Sequence, residues 1–80
     1  MVTSAQIRAA RGLLNWTVRD LAERSGVHRN TVSRVETDAT APGHSIAAIR
    51  AALESAGVIF LDDGQSIDGG PGVRLAKPKS

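Results

Sequence analysis

Apolar residues recur every three to four positions through the first two-thirds of the chain and then give way to two short β-rich runs. Ile7, Ala10 and Leu14 mark one face of a first helix, with Arg8 and Arg11 between them. Thr3 and Gln6 are spaced to cap its start reciprocally, and Asn15 is suited to end it in the left-handed region. Gly12 weakens this helix by about 1 kcal/mol relative to alanine. A second helix opens at Thr17, with Asp20 as its capping partner and Trp16 and Leu21 spaced for a hydrophobic staple. Leu21 and Ala22 face inward, Arg19, Glu23 and Arg24 face water, and Ser25-Gly26 stops the helix. Val27 enters the core, and a third helix begins near His28 with Val32 and Val35 as its buried stripe. That leaves Arg29, Asn30, Ser33 and Arg34 outside.

Residues 37–43 are a loop by composition, and His44 is a surface loop residue. A fourth helix starts between Gly43 and Ser45, carries Ile46, Ile49 and Leu53 inward, and ends near Ala56 before Gly57. Val58-Ile59-Phe60-Leu61 is too short and too β-branched for a helix and reads as a strand. Residues 64–72 form a loop, 73–77 a second strand and 78–80 a frayed tail. The organisation predicted is a helical unit over 1–57 followed by a hairpin and tail over 58–80. A lone hairpin is marginal in water. It must pack on its own helices or pair with a second copy, and the apolar residues available for the second role are Ile59, Leu61, Val73 and Leu75.

Eighty residues allow one small domain, and 41% hydrophobic against 22% charged residues makes it globular. A net charge of +2 is too small to identify a partner, but its placement is informative. Through Glu36 there are six arginines (8, 11, 19, 24, 29, 34) against three acids (Asp20, Glu23, Glu36). One Trp, one Phe and no Tyr leave little for base stacking on single strands. The absence of cysteine excludes disulfides and thiolate metal sites. With no apolar run of about 18 residues and no signal-peptide core, no membrane role is expected and the default compartment is the cytoplasm. No metal-spaced cluster, phosphate cradle or nucleophile–base pair is evident, so neither an enzyme nor a cofactor is expected. Gly69-Gly70-Pro71-Gly72 is read as a turn.

Helices two and three, joined at Gly26, make a helix-turn-helix. A helix fits the major groove, where Arg suits guanine and Asn suits adenine. The run from Gln6 to about Gly57 also resembles the lambda-repressor-like (XRE/Cro-type) transcription regulators. The likeness rests on Arg11, Leu14-Asn15-Trp16-Thr17, Leu21-Ala22, Ser25-Gly26-Val27, Val32-Ser33-Arg34-Val35-Glu36, Pro42 and Ile49-Arg50-Ala51-Ala52-Leu53. It implies a mainly α, four-helix helix-turn-helix domain, here with a C-terminal two-stranded β-hairpin, that binds double-stranded DNA as a homodimer.

By the same resemblance Arg29, Asn30, Ser33 and Arg34 would read bases, and Thr17, Arg19, His28 and Thr31 would meet phosphates. Arg11 and Glu36 would form a structural ion pair, and Trp16 reads as core. Two positions depart from the family. Val18 stands where Gln usually contacts the DNA backbone, and His28 stands where Ser or Thr usually caps the recognition helix. Those departures keep a rival open, a protein-interaction module on the same fold (an antiactivator or antitoxin-like partner), or a regulator titrated by a protein partner.

Overall fold

The computed structural model describes residues 2–38, 42–61 and 72–76. Its elements are α1 (Ser4–Leu13), α2 (Val18–Ser25), α3 (Arg29–Asp38), α4 (Gly43–Ser55), β1 (Val58–Leu61) and β2 (Gly72–Leu75). Each helix boundary has a local cause. The Thr3 hydroxyl accepts from the Gln6 amide at 3.1 Å while the Gln6 side chain accepts from the Thr3 amide at 2.8 Å. Thr17 and Asp20 repeat the arrangement at the start of α2, at 3.0 and 2.9 Å. The Thr17 amide, and after it the Thr17 hydroxyl, stabilise the ionised carboxylate and hold the Asp20 pKa below its ordinary value. Asn15 leaves α1 with φ +59°, Gly26 ends α2 with φ +73° and Gly57 follows α4 with φ +102°.

Ile7, Ala10, Leu21, Val32, Val35, Ile49 and Leu53 are fully buried, and Val58 and Phe60 join them from the hairpin. Leu14, Trp16, Val18, Ala22, Val27, Ile46 and Val73 pack around that cluster, half-buried. One core therefore draws on both the helices and the hairpin. Helix α2 packs on α3 and α4, α1 on α3 and β2, and α4 on β1.

β1 and β2 pair antiparallel, with Val58 opposite Leu75, Ile59 opposite Arg74, Phe60 opposite Val73 and Leu61 opposite Gly72. Gln6, only 3% exposed, ties this hairpin to α1: its side-chain amide donates to the carbonyls of Leu61 and Gly72 at 2.9 and 3.0 Å. Both halves of the carboxamide are thus satisfied, one by a helix cap and the other by two strands.

Four boundaries differ from the sequence reading. Helix α3 continues through Thr37 and Asp38, where a loop was expected, and the Thr37 hydroxyl donates to the Ser33 carbonyl at 2.9 Å. His44 lies in the first turn of α4, exposed, because Pro42 sets the entry and the helix begins at Gly43. α4 itself ends at Ser55, one residue short. β2 begins at Gly72, which completes the ladder opposite Leu61, and ends at Leu75. Ala76 instead donates its amide to the Gly57 carbonyl at 2.7 Å. The expected loop over 64–71, the tail over 78–80 and residues 39–41 lie outside the described residues.

Candidate nucleic-acid interface

The corner between α2 and α3 is built from four residues. The Ser25 hydroxyl donates to the Leu21 carbonyl at 2.7 Å and accepts the Val27 amide at 3.2 Å. Gly26, left-handed, returns its own amide to the Ala22 carbonyl at 3.0 Å. Val27 packs against the core, and His28 stands exposed one residue before α3. The His28 imidazole is used: its Nδ1 accepts the amide of Asn30 at 3.1 Å, and its carbonyl accepts the amides of Thr31 and Val32. His28 therefore caps α3, a task usually given to Ser, Thr, Asp or Asn.

Along α3 the burial pattern separates two faces. Val32, Val35 and Glu36 are buried, Thr31 is half-buried, and Arg29, Asn30, Ser33, Arg34 and Thr37 are exposed. Offsets of one, four, five and eight residues put the exposed set on one side of the helix. That side offers two guanidinium forks, one carboxamide with both donor and acceptor, and a hydroxyl. These are the groups that can pair with base edges. Thr37 extends the same face and was missed by the sequence reading, which ended the helix too soon.

The far end of α3 is held by α1. Arg11 forks onto Glu36, Nε to Oε2 at 2.8 Å and Nη2 to Oε1 at 3.1 Å, and its Nη1 donates to the Trp16 carbonyl at 3.0 Å. The hydrogen bond and charge of Glu36 raise the Arg11 pKa above its ordinary value, against the opposing effect of burial. The Ser4 hydroxyl donates to the Val35 carbonyl at 2.6 Å, and Arg8 Nη1 donates to the Glu36 carbonyl. Ser4 and Arg8 thus meet carbonyls near the helix C-terminus, where donors and cations are favoured. Neither contact has a local sequence signal, since the partners lie about thirty residues away.

The proposed phosphate contacts are spread around the corner. Thr17 is exposed, with its hydroxyl engaged as the α2 cap. Arg19 is exposed and pairs loosely with Glu23 at 3.4 Å. Arg19, Glu23, His28 and Arg29 border a shallow depression of about 700 Å³ between α2 and α3. Thr31 sits in the first turn of α3, half-buried. Val18 turns partly inward onto the core, an apolar role in place of a polar one.

Trp16 is half-buried with Arg24 stacked on its ring, 4.9 Å from guanidinium carbon to centroid. The two border a groove of about 460 Å³ floored by Ala48, Ala52 and Ser55 of α4. The hairpin residues do not share one surface. Val73 pairs with Phe60 and packs on the core; Ile59 and Leu75 are 38% and 43% exposed, and Leu61 is half-buried.

Among the described residues, no three His, Cys, Asp or Glu side chains gather to hold a metal ion, and no helix is long and apolar enough to cross a membrane. A family model described as a helix-turn-helix matches residues 7–55, which spans α1 to the end of α4. No curated protein matches the chain.

Proposed function

The chain belongs to the lambda-repressor-like (XRE-type) helix-turn-helix family of DNA-binding regulators, and on that footing we propose that it reads a double-stranded operator sequence-specifically, through α3 in the major groove. One observation carries this reading. Arg29, Asn30, Ser33 and Arg34 lie exposed on a single face of α3 while the opposite face is buried and its C-terminal end is bonded to α1. A helix held from behind presents those groups in a fixed relation, as base pairing requires. Arg29 and Arg34 pair with guanine O6 and N7, Asn30 pairs with adenine N6 and N7, and Ser33 lies alongside. Thr17, Arg19, His28 and Thr31 supply phosphate contacts around the corner, together with the first amides of α2 and α3.

Arg29→Ala and Asn30→Ala will each lower affinity for a duplex selected from a random library by about 10- to 100-fold. Affinity for an unrelated duplex will change far less, and thermal stability hardly at all. Mobility-shift titrations reporting unchanged affinity for the selected duplex would rule out these assignments. Specific binding should also weaken steeply as salt rises, because phosphate contacts release counterions.

Two copies would occupy a two-fold site with half-sites roughly 34 Å apart. Ile59 and Leu75, exposed and bordering one hollow with Arg74 and Ala76, are the proposed contact between them. Ile59→Asp combined with Leu75→Asp will then give a monomer by light scattering with unchanged helical circular dichroism. A dimer that survives both substitutions excludes this surface.

The inward turn of Val18 and the apolar groove beside Trp16 favour a second reading, in which a protein partner docks on the α2–α4 side. Binding to duplex DNA that is absent at low salt would select it.

A further inference from the structure

We propose that His28 is a positioning residue for base reading: its neutral imidazole caps α3 and sets Arg29 and Asn30, so that discrimination between sequences is lost when the ring takes a proton. The inference rests on the DNA reading above and adds a residue and a condition to it. His28 Nδ1 lies 3.1 Å from the Asn30 amide, which is a donor. Nδ1 must therefore carry a lone pair, and the ring proton sits on Nε2. The cap acts at the second residue of α3, and the two residues it orders first are Arg29 and Asn30.

Protonation reverses the contact. An imidazolium has donors at both nitrogens, so Nδ1–H would face the Asn30 N–H, and its charge would lie at the helix end that repels cations. The ring must swing out, the Asn30 amide loses its partner and the first turn of α3 loosens. The charged groups bordering the ring come from two helices. From α2 come Arg19 and Glu23, already paired with each other at 3.4 Å, and from α3 comes Arg29. A swung-out imidazolium can still meet a phosphate, which strengthens binding to any duplex. Acidification thus has two signs, non-specific affinity rising and the preference for the operator falling.

The test uses the full chain and a duplex enriched from a random library at pH 8. Dissociation constants for that duplex and for a scrambled one are measured from about pH 5.5 to 8 at fixed salt, across the interval in which histidine changes charge. In the wild type the specificity ratio should fall about fivefold on acidification, the worth of one cap. His28→Ser, which caps without titrating, should hold the high ratio at every pH, and His28→Ala should show the low ratio throughout. Amide-exchange protection at Asn30 should fall with pH in the wild type and not in His28→Ser. An enriched duplex whose ratio is flat with pH, or a His28→Ser variant that titrates like the wild type, overturns this proposal and leaves the DNA reading standing. Failure to enrich any duplex overturns both.

Discussion

Replacing Glu36 with alanine will lower the free energy of unfolding by about 2–3 kcal/mol. The Glu36 side chain is 8% exposed and takes two of the three bonds made by the Arg11 fork, whose own side chain is 27% exposed. Breaking a buried pair from one side costs more than the pair contributes, because the surviving charge keeps its desolvation penalty without its partner. Arg11 is the survivor here. Partial access to water puts the loss below the 3–5 kcal/mol typical of a fully buried remnant. The raised Arg11 pKa gives the sign of its own pH dependence: its contribution is complete below the unfolded value and lost only as pH rises past the folded one, in strong alkali.

A domain of this length has about 4–12 kcal/mol in total, so the variant gives up a large share. The melting temperature should drop by roughly 10–20 °C. Replacing both residues, Arg11→Met with Glu36→Leu, should cost less than Glu36→Ala alone. A single variant within 1 kcal/mol of the wild type would show that the fork does not hold α3.

Gln6→Glu is expected to cost about 2–4 kcal/mol at pH 7, although it alters one atom of the side chain. The glutamine amide donates to the Leu61 and Gly72 carbonyls while its oxygen caps Thr3. A carboxylate keeps the cap and sets a negative oxygen against two carbonyl oxygens, in a place that is 3% exposed. Burial and those carbonyls favour the protonated acid, which can donate to one of the two. The introduced group thus has a folded pKa above its unfolded value of about 4.3. The deficit should be small below that value and should grow as pH rises through the folded one. Urea unfolding at pH 4 and pH 7 reads the difference. Equal stability of variant and wild type at pH 7 would remove Gln6 from the role given to it.

The parts of this fold that could be read along the chain are those whose cause lies within four residues. Thr3 with Gln6 and Thr17 with Asp20 are each three apart, and both capping pairs are present in full. Asn15, Gly26 and Gly57 mark turns that need positive φ, and they hold it. What escaped has partners far away or depends on a rotamer. Gln6 was legible as a cap but not as the link to strands fifty-five and sixty-six residues on. Ser4 and Arg8 looked like ordinary polar positions until α3 was placed beside them.

His28 is not among the usual caps by residue type, yet its Nδ1 does what a hydroxyl does. The apolar residues of the hairpin could not be sorted by composition, for a related reason. Val73 has the same composition signal as Ile59, and only the register, Val73 opposite Phe60, sends it toward the core. The exposed quartet on α3 came from periodicity alone. Its backing by Arg8 and Ser4, which fixes where that face points, needed the third dimension.

The Gln6 bridge also bears on the order of assembly. The side-chain bonds that tie α1 to α3 close loops of at most thirty-one residues, whereas the Gln6 side chain closes loops of fifty-five and sixty-six. Such closures come late, after faster local contacts have formed. The strands then dock as a latch on a helical unit already collapsed. Damage at Gln6 accordingly hastens unravelling and leaves the rate of collapse nearly untouched.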